Sequence, residues 1–301
     1  MTTPGITTPG KLHLVERAAE RLRRSGTAPD LTSGAPSPVA LPPPDDLPIP
    51  STSESLPTSP NPPLPLRVLA KTGLIAAKTA RNRVSEEFRL VQSQVLRAAF
   101  AQPGGEAGFT NLLMVTSARP KEGKTFTAMN LAASIARQGD RQVLLVDADA
   151  KNGSLGDSLG LTTSAGLLDL ALAPQNDPLP LLHPTEIGML SVLPVGQQRG
   201  ERPELFASDQ MIRAMQTLGR RFADRLVILD VSPCLSTSDP AALAPVVGQI
   251  LFVIEAERTQ RDEVEASLDL IQTCPTITLL LNKVQMSTPR SFGVYSYAYT
   301  S

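Results

Sequence analysis

Six short apolar runs punctuate the C-terminal two thirds of the chain: Leu112–Val115, Val143–Val146, Leu190–Leu193, Leu226–Leu229, Ile250–Ile254 and Ile277–Leu281. Each is nearly continuous, as in strands covered on both faces. Between them apolar positions recur at spacings of three and four, which predicts helices over Phe126–Arg137, Pro203–Phe222 and Asp262–Gln272. The alternation predicts an α/β fold with a doubly wound, mostly parallel sheet. Ligands of such sheets bind beyond the carboxyl ends of the strands, so polar residues that directly follow a run are the candidate chemistry. Upstream, residues 85–100 place Phe88, Val91, Val95 and Leu96 on one helical side. Residues 11–24 set Leu12, Val15, Ala19 and Leu22 apart from Arg17, Arg21, Arg23 and Arg24. A lone helix that short is marginal in water. It is expected either to fray in solvent or to form against a protein or anionic membrane surface.

Residues 27–66 interrupt the pattern with thirteen prolines, four acids (Asp30, Asp45, Asp46, Glu54) and no Lys or Arg. Proline removes a backbone donor and fixes φ, so this stretch is expected to be a disordered, semi-extended tether that builds neither ladder nor helix. The charge then reverses: Arg67, Lys71, Lys78, Arg81 and Arg83 stand without an acid, beside Leu69, Leu74, Ile75 and Ala77. The chain divides accordingly into an amphipathic helix (1–26), a Pro-rich linker (27–66), a sheet domain with its leading helices (67–288) and a tail (289–301).

That tail holds every tyrosine of the chain: Tyr295, Tyr297 and Tyr299 lie in its last seven residues. Random placement does this on the order of once in 10^5 chains, so composition alone does not account for it. In an extended tail the three phenols face one side, either packed as an edge strand or offered as a modifiable segment.

Composition narrows the classes. A net charge of −1 argues against a general nucleic-acid binder. Cys234 and Cys274 are too few for a disulfide framework and suit a reducing compartment. No apolar run nears the roughly 20 residues that span a bilayer, and the first residues lack the pattern of a signal peptide. A cytoplasmic chain is expected. His13 and His183 have no Cys or His at ligand spacing, so zinc is not expected.

Three strand ends carry chemistry. After the first run comes Ala118-Arg-Pro-Lys-Glu-Gly-Lys-Thr125, which leads straight into a helix. Backbone N–H groups at a helix start form an anion cradle, because the orphan donors and the helix dipole both favour phosphate. Lys124 is placed to reach β- and γ-phosphates, and the Thr125 hydroxyl to ligate Mg²⁺. Ala118 stands where the usual GxxxxGK[ST] pattern has its first glycine. The second run ends in Val146-Asp147-Ala148-Asp149, whose two carboxylates point the same way if the strand geometry persists. They bind Mg²⁺ through water, take a proton, or simply cap the next helix. The fourth run leads to Asp230, a candidate holder of a metal-bound water or a plain strand-end acid. Together these predict a P-loop NTPase.

TSARPKEGKTFTAMNLA, VLLVDADAKNGSLGDSLGL and LVILDVSPCLSTSDPAAL resemble, in that order, the nucleotide motifs of bacterial tyrosine kinases, within the wider MinD- and ParA-like ATPases. LVERAAERL, SEEFRLVQSQVL, LPVGQQRGERPELFASDQM and VIEAERTQRDEVEASLDLI extend the likeness towards the tyrosine autokinases encoded beside exosortase and exopolysaccharide genes. The resemblance covers residues 85–283. It implies an ATP- and Mg²⁺-dependent protein-tyrosine kinase that phosphorylates Tyr295, Tyr297 and Tyr299, usually between copies of a homo-oligomer. A membrane-bound polysaccharide chain-length regulator would activate it and recruit it to the inner membrane, and nucleic acid would play no part.

By the same resemblance Lys124, Asp147, Asp149 and Asp230 are catalytic, and Thr125, Asp147 and Asp230 hold the metal. Pro120, Lys121, Glu122, Gly123, Lys124, Thr125 and Phe126 line the nucleotide, with Asn282 on its adenine side. A phenol with a pKa of about 10 needs an acceptor for its proton, and Asp149 or Asp147 is the candidate. Three features depart from the family pattern. Lys151 stands where relatives often have arginine, Asn152-Gly153 replaces a commoner Arg-Pro, and Glu86, Arg89 and Gln92 replace the Glu-x-x-Arg-x-x-Arg pattern of ring assembly. Two other readings compete: a positioning ATPase of the MinD/ParA kind, and a non-catalytic ATP-gated adaptor of a polysaccharide export complex.

Overall fold

The computed structural model describes residues 59–75, 83–100, 109–151, 153–197 and 203–284. The N-terminal helix, most of the Pro-rich linker and the tyrosine tail lie outside the described residues. Seven strands form one sheet in the order β3-β4-β2-β5-β1-β6-β7. They are β1 (Phe109–Ser117), β2 (Val143–Ala148), β3 (His183–Pro184), β4 (Leu190–Leu193), β5 (Leu226–Val231), β6 (Val247–Glu255) and β7 (Ile277–Asn282). All pairings are parallel except β3 with β4. All six apolar runs are therefore strands. The seventh, β3, has two residues, too few to leave a periodic signal.

Alternate strand residues pack on opposite faces, as the pleat requires. Leu112, Met114, Leu144, Val146, Val227 and Leu229 meet helices α5 (Leu167–Leu172) and α6 (Asp209–Arg221) on one side. Leu113, Val115, Leu145, Ile228, Leu251 and Val253 meet α2 (Arg83–Phe100), α3 (Lys124–Gln138) and α4 (Leu155–Leu159) on the other. Both faces are covered over β1, β2, β4, β5 and most of β6, which is why those runs read as continuous rather than alternating; at the β7 edge Leu279 and Leu281 stand exposed. Two further helices lie later in the chain, α7 (Asp239–Leu243) and α8 (Arg261–Ile271).

The helix expected over 203–222 is broken. Pro203–Ala207 forms a 3₁₀ turn, and α6 restarts at Asp209. Ser208 causes the break: its hydroxyl accepts the Met211 N–H at 3.3 Å as a helix cap.

The linker also departs from expectation at its end. Leu64 donates to the Pro184 carbonyl at 2.8 Å and accepts from Glu186 at 3.0 Å, so it adds a bridge to the β3 edge. Asn61 Nδ2 donates to the Pro180 and Leu182 carbonyls at 3.0 and 2.8 Å. Proline blocks donors at 60, 62, 63 and 65, yet the N–H left at Leu64 is enough to dock the strand. A short helix, α1 (Leu66–Leu69), then buries Leu69 completely and runs on as a 3₁₀ turn to Gly73. Asn130 of α3 clamps that end, accepting the Ile75 N–H at 2.8 Å and donating to the Gly73 carbonyl at 3.1 Å. Residues 59–75 thus run from the β3 edge to the helix that opens with Lys124.

On α2, Glu86 and Arg89 pair at 3.5 Å on the surface. Gln92 turns inward, where it takes the Ser134 hydroxyl at 3.0 Å and pairs with Gln138. The residue in the second arginine position of the assembly pattern therefore faces α3 of its own chain.

Candidate active site

The loop between β1 and α3 is shaped by backbone geometry. Lys121 (φ 71°) and Gly123 (φ 100°) both adopt the left-handed region. At Gly123 a Cβ would come within 2.1 Å of Asn282 Nδ2, so only glycine fits. The first intrahelical bond runs from the Thr127 N–H to the Gly123 carbonyl at 2.9 Å. The N–H groups of Lys124, Thr125 and Phe126 lie ahead of it and remain as donors for an anion. Pro120 has no N–H to contribute.

Several predicted nucleotide contacts turn out to brace the loop. The Glu122 carboxylate is buried; it accepts the Arg119 N–H at 3.0 Å and the Thr259 hydroxyl. Asn282 donates to the Glu122 carbonyl at 2.8 Å, and Lys283 Nζ to the Lys121 carbonyl at 2.7 Å. The Phe126 ring lies against Gly73 and Phe88, at 6.2 Å from the latter, so its side chain supports the helix from behind.

Opposite the loop stand the acids. Parallel pairing of β2 with β5 sets Asp147 beside Asp230. Lys124 Nζ reaches Asp149 Oδ2 at 2.8 Å and Asp230 Oδ1 at 3.5 Å. Asp149 Oδ1 accepts the Ser232 hydroxyl at 2.9 Å and the Lys151 N–H at 3.3 Å. Asp147 is turned the other way. Its Oδ2 takes the Ser154 hydroxyl and the Gly156 N–H, both at 2.7 Å, and its Oδ1 takes the Asp149 N–H at 3.2 Å. Asp147 therefore caps the start of α4, and of the two β2 acids Asp149 is the one that joins Lys124 directly. The three strand-end motifs converge at one place.

Comparison with known proteins agrees with that geometry, although no family model matches the chain. The tyrosine-protein kinase ptk of Acinetobacter johnsonii is 28% identical over 244 residues, covering 80% of this chain and 32% of that protein. The putative tyrosine-protein kinase EpsB of Ralstonia nicotianae is 33% identical over 191 residues, covering 64% and 25%. The kinase domain of the Escherichia coli tyrosine kinase ETK superposes with a TM-score of 0.59 at 28% identity, covering 72% of this chain and 83% of that domain. Sequence and fold point the same way. In both, the chain is similar to bacterial tyrosine kinases. It spans a third or less of the length of the first two relatives.

Within the site, burial and charge set the protonation of its groups. Burial alone would lower the Lys124 pKa, but the adjacent Asp230 and Asp149 charges outweigh it and raise it. Burial likewise pushes Asp149 up, and Lys124 more than cancels it, leaving that carboxyl below its ordinary value. Asp147 is pushed up to about 6 by burial, despite the Ser154 and Gly156 bonds. Asp230 is raised by complete burial, against the pull of Lys124.

One ammonium therefore faces three carboxylates, and Asp230 Oδ2 is buried without a hydrogen-bond partner. An orphaned acid oxygen beside excess negative charge fits a divalent cation or its bound water. Among the described residues no three His, Cys, Asp or Glu form a ready ligand group. Mg²⁺ is usually held by one or two carboxylates together with waters and substrate phosphates.

Sequence reasoning missed Ser154, Ser232 and Thr259. Ser232 was the most accessible of them, two residues beyond Asp230 and so on the same side of an extended chain.

Proposed function

We propose that this chain is an ATP-dependent protein-tyrosine autokinase that phosphorylates Tyr295, Tyr297 and Tyr299 of its own tail, in another copy of a homo-oligomer. It acts in the cytoplasm at the inner membrane, recruited and activated by a membrane-bound polysaccharide chain-length regulator, and controls exopolysaccharide synthesis or export. The observation that carries the reading is the Lys124 ammonium held between Asp149 and Asp230 at the mouth of an anion cradle. The kinase names of the relatives add to it. Among the described residues no helix is long and apolar enough to cross a membrane.

The residues divide the work. The N–H groups of Lys124, Thr125 and Phe126 hold phosphate oxygens, and Lys124 leaves Asp149 to meet the charge of the terminal phosphates. Thr125 and Asp230 would hold Mg²⁺, with Asp147 reaching it only through water. When bound, the cation neutralises charge on the transferred group. Asp149, ionised at neutral pH and relieved of Lys124, accepts the phenol proton as the tyrosine oxygen attacks the γ-phosphorus and ADP departs. The bonds that occupy both oxygens of Asp147 favour Asp149 as that acceptor.

The test is to incubate the full chain with Mg·ATP and map phosphate by mass spectrometry. Phosphotyrosine at 295–299, absent in Lys124→Met, is the expected result. ATP turnover with an unmodified tail would instead mark a positioning ATPase, and neither would mark an adaptor.

A further inference from the structure

We propose that Ser232 is the positioning residue for Asp149: it anchors Oδ1, so that Oδ2 stays aimed at the incoming phenol when Lys124 turns away. The inference rests on the kinase reading above. Asp149 is held at both ends, by Lys124 on Oδ2 at 2.8 Å and by Ser232 on Oδ1 at 2.9 Å. Catalysis as described removes the first of these. What remains on the carboxylate is Ser232 and the longer Lys151 N–H contact at 3.3 Å. A carboxylate on a single long bond turns about its terminal torsion, whereas two donors on one oxygen fix its plane.

Ser232 is itself fixed. It is fully buried, and its carbonyl accepts the Thr116 hydroxyl at 2.7 Å, tying it to the end of β1 from which the phosphate loop departs. Its single proton faces two acids, Asp149 at 2.9 Å and Asp239 at 3.5 Å in the first turn of α7. The shorter contact is the stronger bond. Asp239 is a competing acceptor at the longer distance, so the hydroxyl proton is committed to Asp149.

The hydroxyl, rather than the bulk of the side chain, is what the role requires. Ser232→Ala removes the anchor and leaves the phosphate cradle, Lys124 and Asp230 in place. Ser232→Thr restores a hydroxyl in the same position. The experiment measures phosphotyrosine formation against ATP concentration in full-length wild type, Ser232→Ala and Ser232→Thr, with binding of a fluorescent ATP analogue measured in parallel.

We expect Ser232→Ala to lower kcat by roughly 10- to 100-fold, the scale of a misaligned reacting group, with KM for ATP and analogue binding within about twofold of wild type. Ser232→Thr should recover most of the rate. Ser232→Ala turning over within about twofold of wild type would overturn the inference. So would loss of analogue binding together with rate in Ser232→Ala, left unrepaired by Ser232→Thr, since that marks a role in folding alone. A wild type that binds the analogue and makes no phosphotyrosine would sink the kinase reading itself, a result distinct from either.

Discussion

On the β6–β7 side of the site, the phosphate loop is held by bonds that leave nothing unsettled: Asn282 and Lys283 on its carbonyls, Thr259 and the Arg119 N–H on the Glu122 carboxylate. On the β2–β5 side, Asp147, Asp149 and Asp230 crowd one ammonium, and Asp230 keeps an oxygen with no partner. The first rim is a finished anion cradle. In the proposed mechanism a cation and a phosphate complete the second, and Lys124 then changes partners. The difference teaches where change is tolerated. Alterations in the bracing rim should loosen nucleotide binding by modest factors. Alterations in the acid rim should decide whether chemistry happens, and should change stability in directions that depend on the metal.

The largest effect is expected at the residue the two rims share. Lys124→Met should cut phosphotransfer on the order of 10^3-fold or more, the scale of losing a cation at a transferring phosphoryl group. Single-turnover kinetics at saturating Mg·ATP would measure it, and a loss below about tenfold would contradict the assignment.

Asp230→Asn separates the rims. It should abolish Mg²⁺-dependent transfer to a similar degree, yet raise the thermal midpoint of the metal-free protein by about 2–4 °C, since about 1 kcal/mol of uncompensated burial is removed. Calorimetry with and without a chelator checks this. A lower midpoint without metal would mean that the acid rim is already balanced.

A pH scan probes the same excess charge. Asp147, raised from 3.8 to about 6 in the folded chain, binds its proton more tightly there than in the unfolded chain. Its contribution to stability is therefore full below about pH 4 and is lost as pH rises through 6, by about 2–3 kcal/mol. Asp149 is shifted the opposite way, and its contribution fades as pH falls. In metal-free urea melts, Asp147→Asn should flatten the decline between pH 4 and 6. An unchanged slope would remove Asp147 as its source.

The smallest effect belongs to the braced rim. Asn282→Ala takes one hydrogen bond from the Glu122 carbonyl, and should weaken ATP binding by about three- to tenfold with kcat nearly unchanged. A large drop in kcat would show that the cradle is less settled than its bonds suggest.

How legible this was follows from the range of each interaction. Five of the six main strands could be read because residues such as Leu144 and Leu145 are both buried, on opposite faces, which leaves a local mark in the sequence; β7 kept its apolar run although Leu279 and Leu281 are exposed. Asp147 and Asp230 could be picked out because each directly follows such a run, and Lys124 because it opens the helix after the loop that follows the first. The interruption at Ser208 was hidden because its flanks keep helical spacing on both sides.

The bracing contacts were hidden for a different reason. Glu122 meets Thr259 across 137 residues, and Ser232 meets Asp149 across 83, distances at which no periodicity connects the partners. Asn282 was reached only through family likeness, and its bond to the loop came from the fold. The opposite turn of Asp147 and Asp149 depends on Ser154 and Gly156, which take one carboxylate as a helix cap and leave the other for Lys124.

The central claim is that this site passes phosphate to tyrosine rather than to water. The most direct measurement is the partition of γ-labelled ATP, in one reaction of the full chain with Mg²⁺, between protein-bound phosphotyrosine and free inorganic phosphate. Label appearing mainly on tyrosine and moving to neither product when Tyr295, Tyr297 and Tyr299 are all replaced by phenylalanine is the expected result. Label released as inorganic phosphate at the same rate with and without those tyrosines would contradict it.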